Sequence, residues 1–366
     1  MTADVRRAVL VVIPAWITAR VVALSCLGVT ALAHGGHLPQ AGSVHVAGSS
    51  GWWSWDAAWY RSLAEHGYAG SPPGGVRFFP LFPLLGRWLG FLLGGHDGLA
   101  LILLANVFAL AFGAAVVLLT QRELNRSTSA AAGWLTMLAP GAVVLAMAFA
   151  EPLSGLLGAL FLLLVRGGGR AMWWAAPVGM LAGLTRPTGF LLAAVPVIEF
   201  LVVAARRKSW PSLLAAATGP LVGTAIFCAW TAHVYGDALA PYHAQTRTTL
   251  RGGIVANPIH ALFVESSHKG LPVPLRVVVV VATIALVVLA WRVLPTSIAV
   301  WATLLALAAL TSARLTSLPR YVSGDFPLFM ALAAYVHGRR AVLTVAASTV
   351  LFALVAIAGF ENWMIL

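Results

Sequence analysis

The sequence contains very few charged side chains. Aspartate, glutamate, lysine and arginine make up 9% of its 366 residues, whereas apolar residues make up 60%. Soluble domains carry about 25% charged residues, because their surfaces face water. The mean hydropathy is +0.90. This shortage of charge excludes a water-soluble globular protein and predicts an integral membrane protein.

Cysteine is also scarce, and no metal-ligand pattern is evident. The two cysteines, Cys26 and Cys228, both lie in apolar runs, which argues against a disulfide framework. The histidines are scattered, and no carboxylate stands at ligand spacing from them, so no cofactor is predicted and a divalent metal ion is left open. The net charge of +12 is assigned to loops that set topology and meet anionic lipid, not to nucleic-acid binding.

Apolar runs, each long enough to cross a bilayer as a helix, recur along the whole chain. A transmembrane β-barrel does not fit, because its strands alternate in polarity. The first run is interpreted as an uncleaved span, since it is long and contains Arg20, although a cleaved signal peptide is the alternative. Residues 1–366 are therefore predicted to form a single, all-α polytopic domain with about eleven spans, at 8–33, 99–120, 128–149, 152–165, 171–185, 188–205, 211–232, 273–291, 298–312, 325–337 and 341–360.

The distribution of charge predicts the topology. Tight basic clusters such as RRK at 206–208 are expected in short cytoplasmic loops, which places the N-terminus inside. The two longest loops, 34–98 and 233–272, then face the outside together with eight of the eleven acidic residues. Because the elaborated loops share one face, we expect a functional site on the extracytoplasmic side of the cytoplasmic membrane.

The first outer loop contains the stretch GWWSWDAAWYRSLAEHGY, residues 51–68. On a helix with about 100° per residue, Trp52, Asp56, Trp59, Tyr60 and Leu63 fall on one face, which predicts an amphipathic helix at the membrane interface. A carboxylate at the centre of an apolar face is desolvated unless something pairs with it. Asp56 is therefore a functional candidate, and a capping or ion-pairing role is the alternative.

A second feature of this loop is RFFPLFPLLGRW, residues 77–88. Its two prolines are incompatible with an ordinary uninterrupted span. A broken or re-entrant element is predicted here, with Arg77 at the level of the lipid headgroups.

Four segments resemble motifs of the PIG-V-like (GPI mannosyltransferase 2-like) mannosyltransferases of the GT-C superfamily. They are WDAAWYRSLAEHGY followed by FFPLFPLL in the first loop, AEPLSGLLGALFLLL at 150–164, GLTRPTGFLL at 183–192, and SLPRYVSGDFPLF at 317–329. The resemblance implies a GT-C-like helical bundle in a bacterial member of the family. It also implies a polyprenyl-phosphate-mannose donor and a cell-envelope acceptor, either a glycolipid, a glycan or a protein.

Inverting sugar transfer needs one base to take the proton of the acceptor hydroxyl, and we predict that Asp56 is this base, with Glu151 in reserve. Arginine's planar guanidinium suits phosphate. The candidates for binding the donor phosphate are Arg186, Arg320 and Arg77, and those for binding sugar or acceptor are Trp52, Trp55, Trp59, Tyr60, His66, Glu151 and Tyr321. Each has a structural alternative, such as an ion pair, a helix-end charge or an interfacial anchor.

Two other functions fit a polytopic chain. A transporter or flippase for a lipid-linked sugar would be expected to show internal repeats, and none is evident. A non-catalytic scaffold of an envelope-synthesis complex would tolerate substitution of Asp56 and Arg186.

Overall fold

The computed structural model describes residues 3–40, 46, 49–203, 209–245, 257–263, 272–312 and 315–364. Within these ranges the regular structure is helical, apart from an isolated bridge between Gln40 and Ser50. Parts of the predicted 233–272 loop therefore lie outside the described residues. The α-helices are α1 (Ala3–Ala33), α2 (Asp56–Gly70), α3 (Leu81–Leu92), α4 (Asp97–Glu123), α5 (Arg126–Met137), α6 (Glu151–Gly167), α7 (Ala175–Gly183), α8 (Ala194–Val202), α9 (Trp210–Tyr235), α10 (Ala240–Gln245), α11 (Pro258–Phe263), α12 (Val273–Val293), α13 (Thr296–Leu310), α14 (Leu318–Gly324), α15 (Phe326–Tyr335) and α16 (Arg339–Phe360).

Five of these helices, α1, α4, α9, α12 and α16, are long and apolar enough to cross a membrane by length and composition. They bury between 17% and 50% of their most apolar windows inside the protein, so much of their apolar surface is left for lipid. Shorter apolar helices pack among them, including α13 and α15. The prediction of an all-α polytopic membrane protein is confirmed.

The predicted span 128–149 is wrong as a continuous helix. Helix α5 ends at Met137, ahead of Pro140 and Gly141, and the chain then forms only a short 3₁₀ turn, Ala142–Leu145. Proline cannot donate a backbone hydrogen bond and breaks the helical ladder. Residues 142–150 are all buried, so this irregular segment lies inside the protein. Non-helical backbone at such a place must be satisfied by protein groups, because lipid offers none.

Helices α1 and α4 supply those groups. Arg20 of α1 donates from Nη2 to the carbonyl of Leu145 at 2.7 Å and from Nε to Oδ1 of Asn106 at 2.8 Å. Asn106 of α4 donates in turn to the carbonyl of Ala146 at 3.2 Å. The otherwise unexplained arginine of the first span thus holds the irregular segment in place.

The first long loop folds differently from its helical projection. A 3₁₀ turn, Gly51–Trp53, precedes α2, which begins only at Asp56 and kinks at Gly67. Trp52 is therefore not on the helical stripe; it packs edge-on against Phe360 at the end of α16, with ring centroids 6.1 Å apart. The helix does bury Trp59, Tyr60 and Leu63 on one face, as predicted.

The proline-rich segment 77–88 is not one uninterrupted helix: Arg77 ends a 3₁₀ turn, residues 78–80 follow it, and only the remainder is helical. Helix α3 begins directly after Pro80, and Pro83 lies in its first turn. Proline is tolerated there because the first backbone N–H groups of a helix have no partner within the helix. With 12 residues, α3 is too short to span a bilayer.

Helix α6 joins two polar layers of the bundle. Its first residue is Glu151, and Arg166 lies in its last turn. Arg166 contacts Glu123 of α4 at 2.9 Å and Glu199 of α8 at 2.7 Å, and both carboxylates are buried. This ionic layer ties α4, α6 and α8 together at one end, and Glu151 belongs to the other end, called the site end below.

Candidate functional site

Five charged side chains form a row of alternating sign at the site end, called the charged row below. In order they are Arg77, Asp56, Arg320, Glu151 and Arg186. Arg77 lies 3.9 Å from Oδ1 of Asp56, and Arg320 donates to Oδ2 of Asp56 at 2.6 Å. Nε of Arg320 lies 3.5 Å from Oε1 of Glu151, and Nη1 of Arg186 lies 2.5 Å from the same oxygen. Three cations thus surround two carboxylates, which leaves one net positive charge.

Each member of the row stands at the end of a helix or in a turn. Asp56 is the first residue of α2, Glu151 is the first residue of α6, and Arg77 ends the 3₁₀ turn Pro73–Arg77. A carboxylate in the first turn of a helix is favoured by the helix dipole. Arg186 lies between α7 and the 3₁₀ turn Gly189–Ala193, and Arg320 lies in the short helix α14. Distant parts of the chain therefore meet at one place.

The row is largely shielded from solvent. The side chains of Arg320 and Glu151 are each 5% exposed, whereas that of Asp56 is 24% exposed. Asp56 is therefore the carboxylate of this row that a molecule outside the protein reaches most easily. Buried charges are stable only when paired, and the alternation provides each with a partner.

The environment keeps the guanidinium groups of Arg320 and Arg186 charged. Burial by itself would lower the pKa of Arg320, but Asp56, Tyr321 and Glu151 raise that pKa well above its usual value. Burial would also lower the pKa of Arg186, but the negative charge of Glu151 outweighs this effect, so the pKa of Arg186 is raised. For Arg77, burial prevails over the attraction of Asp56 and lowers the pKa of its guanidinium. Arg77 is therefore the arginine of the row whose burial is least offset by neighbouring negative charge.

Aromatic rings line the row. The guanidinium of Arg77 lies 4.9 Å from the ring centre of Trp59 and 4.7 Å from that of Phe78, within reach of cation–π attraction. Arg320 lies 4.8 Å from the ring of Tyr321 and donates to its hydroxyl at 3.1 Å. Tyr321 is 38% exposed, so part of its ring faces outward.

The phenol of Tyr60 is buried beside the row. Burial raises the pKa of Tyr60 strongly, the charge of Glu151 raises it further, and Arg186 opposes both effects. Tyr60 is therefore a neutral hydroxyl at physiological pH.

Three predicted ligands lie apart from the row. Trp52 packs on Phe360, and the indole of Trp55 donates to the carbonyl of Gly359 at 3.2 Å, so both rings contact the end of α16. His66 is exposed and its Nδ1 lies 3.3 Å from the carbonyl of Ser62 in its own helix. It stands ten residues after Asp56, or about 15 Å along the helix axis. The structure does not bring His66 to Asp56.

The backbone at Trp55 is strained. Its φ is 61° and its ψ is −125°, the combination required of the first central residue of a type II′ turn. Glycine usually fills that position, and another residue there costs about 1–3 kcal/mol. The turn closes through a hydrogen bond from the amide of Ala57 to the carbonyl of Ser54, at 3.3 Å.

Sequence reasoning missed the residues that support Arg320. The amide of Gly141 donates to Oγ of Ser323 at 2.8 Å, and Oγ of Ser323 donates to the carbonyl of Pro319. A Cβ atom at position 141 would lie 2.6 Å from the amide nitrogen of Arg320, so only glycine allows this approach. The Pro-Gly pair within an apolar run was the available signal. Phe149, whose ring centre lies 5.6 Å from Arg320, gave no signal of its own.

The donor set of the row does not match a metal site. In the part of the chain that the structure describes, no three His, Cys, Asp or Glu side chains are grouped so that they could hold a metal ion. Asp56 and Glu151 are both paired with arginines, whose charge occupies the position that a cation would need.

Comparison with known proteins places the fold. No family model and no curated protein sequence matches the chain. The crystal structure of ArnT from Cupriavidus metallidurans bound to undecaprenyl phosphate is similar over 94% of this chain and 76% of that one, with a TM-score of 0.56 and 15% identity. The Archaeoglobus fulgidus oligosaccharyltransferase in complex with Zn and sulfate is similar over 96% of this chain and 53% of that one, with a TM-score of 0.50 and 14% identity.

The chain is therefore a multi-pass membrane protein whose fold is similar to that of ArnT. Within that fold, it carries a shielded row of three arginines and two carboxylates with one net positive charge. Chemically, such a row offers guanidinium groups for an anion and a partly exposed carboxylate for a proton.

Proposed function

We propose that this protein is an inverting glycosyltransferase that moves mannose from polyprenyl-phosphate mannose to an acceptor of the cell envelope. The observation that carries the proposal is the charged row, in which Asp56 is flanked by Arg77 and Arg320. The GT-C fold supports it, because ArnT, a protein with a similar fold, is known bound to undecaprenyl phosphate. The acceptor is a glycolipid, a glycan or a protein, and the bilayer itself supplies the donor.

The arginines provide the donor-phosphate site. A phosphodiester carries one negative charge, which matches the net charge of the row. In the absence of donor, Asp56 and Glu151 hold the guanidinium groups of Arg77, Arg320 and Arg186. An incoming phosphate shares these groups, and planar guanidinium groups bind phosphate oxygens through paired hydrogen bonds. Sharing Arg320 with phosphate loosens its bond to Asp56, which becomes available to the acceptor.

Asp56 is the base of the transfer. The acceptor oxygen attacks the anomeric carbon of the sugar while its proton passes to the Asp56 carboxylate. The bond between the anomeric carbon and the phosphate oxygen breaks, and its electron pair remains on that oxygen. Polyprenyl phosphate leaves with one more negative charge than it had in the donor, and the arginines stabilise this charge as it develops.

The aromatic residues at the row bind the sugar. Tyr321 is 38% exposed and presents a ring beside Arg320, and sugars stack their apolar faces on such rings. Trp59 is only 4% exposed, so it would contribute by supporting Arg77 from the protein side. Mannose is proposed as the sugar because the first loop and the TRPTG segment resemble the PIG-V-like mannosyltransferases. The positive-inside distribution of charge supports a site that faces the extracytoplasmic side of the cytoplasmic membrane.

Transfer from radiolabelled polyprenyl-phosphate mannose by the purified protein, reconstituted with an envelope-lipid extract, tests the proposal. We expect the D56N variant to lose transfer while it remains folded, because an amide cannot accept the proton. Glu65→Gln is the matched control, since Glu65 is an exposed carboxylate on the opposite face of α2, paired with Arg61. Full activity of D56N would overturn the role of Asp56, and transfer from a nucleotide sugar without lipid donor would overturn the mechanism.

A further inference from the structure

Trp55 occupies a conformation that a tryptophan adopts only under constraint. It stands at the N-cap of α2, where serine, threonine, aspartate or asparagine usually caps the helix, and its side chain makes no capping bond. Its positive φ suits glycine, which carries no Cβ to clash. Trp55, which immediately precedes Asp56, therefore departs both from the usual N-cap residues and from the usual preference for glycine at positive φ.

The surroundings hold Trp55 in this conformation. Its side chain is 7% exposed, and its indole N–H donates to the carbonyl of Gly359 in the last turn of α16. The same helix end receives the ring of Trp52, and Glu361 pairs with His34 of the α1 end at 2.7 Å. The end of α16 thus contacts the side chains of Trp52 and Trp55 and holds the turn from Ser54 to Ala57 in place.

We infer that Trp55 is a positioning residue that sets the direction of the Asp56 carboxylate through its anchored, strained backbone. The type II′ turn reverses the chain between the 3₁₀ turn 51–53 and the first residue of α2. Asp56 is the second central residue of that turn, so the anchoring of Trp55 sets where its side chain begins. Strained backbone is retained at sites where the surrounding structure over-determines it. The inference rests on the proposed role of Asp56 and adds a residue that acts on the reaction through Asp56.

Three substitutions separate the anchoring of the Trp55 side chain from the strain in its backbone. Trp55→Gly removes the anchor and relieves the strain, Trp55→Ala removes the anchor and keeps the strain, and Trp55→Phe keeps a ring but removes the N–H donor. Trp210→Phe is the control, because Trp210 is an exposed tryptophan at the start of α9. Thermal unfolding and steady-state transfer from polyprenyl-phosphate mannose are measured for each folded, monodisperse protein.

The expected pattern differs between stability and catalysis. Trp55→Gly is expected to unfold at a temperature equal to or above that of Trp55→Ala, because it relieves the strain. Its kcat is nevertheless expected to fall roughly 10- to 100-fold, as small misplacements of catalytic groups do, with little change in KM for the donor. Trp55→Phe is expected to lie between Trp55→Gly and the wild type in kcat, and Trp210→Phe is expected to match the wild type.

Two results would overturn the inference. One is a Trp55→Gly protein with the wild-type kcat; the other is a set of Trp55 variants in which kcat falls strictly in step with the unfolding temperature, as a purely structural role requires. D56N measured in the same assay keeps the two proposals apart. If D56N is fully active, the proposed function of Asp56 fails, whereas an inactive D56N with an active Trp55→Gly protein contradicts only the present inference.

Discussion

The guanidinium of Arg320 donates to Asp56 at 2.6 Å, although 264 residues separate them in sequence. The same guanidinium lies 3.5 Å from Glu151, so one cation stands between two carboxylates. Arg320 is 5% exposed and thus has little water to replace a lost partner. The stability of the site and its proposed chemistry both depend on this residue.

Replacing Arg320 by methionine tests that dependence. The substitution leaves two shielded carboxylates without their shared cation, and breaking a buried ion pair costs about 3–5 kcal/mol. We expect a clear drop in the unfolding temperature and a loss of transfer of about 100-fold or more. Adding Asp56→Asn to this variant is expected to restore part of the stability and none of the activity. Arg61→Met is the control, since the exposed pair of Arg61 and Glu65 is worth about 1 kcal/mol or less; equal losses in both variants would contradict the prediction.

Gly141→Ala tests the support under Arg320. Its Cβ would lie 2.6 Å from the amide nitrogen of Arg320 and closer still to the carbonyl of Pro319, so that backbone must move. We expect the rate of transfer to fall about tenfold or more, because the guanidinium moves with its backbone. The φ of Gly141 is −93°, which alanine adopts without strain, so the effect isolates the clash.

Gly28→Ala provides the comparison for Gly141→Ala. Gly28 lies in α1, and nothing stands within 4 Å of the position that its Cβ would take. We expect the activity of Gly28→Ala to be unchanged and its stability to be equal or slightly higher, as alanine favours helix by about 1 kcal/mol. An active Gly141→Ala protein would show that Arg320 does not need this close approach.

The network of Arg20 and Asn106 predicts a coupled loss of stability. Arg20→Gln removes the donor of the Leu145 carbonyl, and Asn106→Leu removes that of the Ala146 carbonyl. An unsatisfied buried carbonyl costs about 1–3 kcal/mol, so each variant is expected to unfold at a lower temperature. The double variant should lose less than the sum, because the two side chains also bond to each other. Strict additivity in thermal unfolding would argue against a shared network.

Removal of divalent metal ions is expected to leave transfer unchanged. The three arginines of the charged row already provide the positive charge that a leaving phosphate needs. Incubation with EDTA, followed by the transfer assay with and without added Mg²⁺, Mn²⁺ or Zn²⁺, tests this. A loss of about tenfold or more that a metal ion restores would assign a role to that ion.

Much of the fold could be predicted from sequence, because apolar runs of spanning length report lipid exposure directly. The break at residues 138–150 was missed because those residues are as apolar as a true span, although Pro140 and Gly141 were a signal for it. What distinguishes them is tertiary: carbonyls that Arg20, Asn106 and Ser348 satisfy from three different helices. The composition of the segment itself does not indicate which distant residues bond to its carbonyls.

The candidate site could be predicted only in part. Asp56 and the three arginines stood out as rare charges in an apolar chain, and the structure brings them together with Glu151. The roles of these residues stay predictions. The helical projection misassigned Trp52 because it assumed a helix beginning there, whereas the chain turns at Trp55. The positive φ of Trp55 has no signature in the local sequence, and the side chain of Trp55 donates to the carbonyl of Gly359, more than 300 residues away.

The length of α6 has a consequence for the membrane around the protein. Glu151 is the first residue of this 17-residue helix and Arg166 is the last but one, so the two ionic layers lie about 22 Å apart along its axis. The hydrocarbon core of a bilayer is about 30 Å thick. If α6 lies along the membrane normal, the two ionic layers are closer together than the two faces of an ordinary hydrocarbon core. Either the bilayer then thins beside the protein, or at least one layer lies within the depth of the core. In an unthinned bilayer, the phosphate of the proposed lipid-linked donor would have to lie deeper than the headgroups around it, where water is scarce and charges interact more strongly.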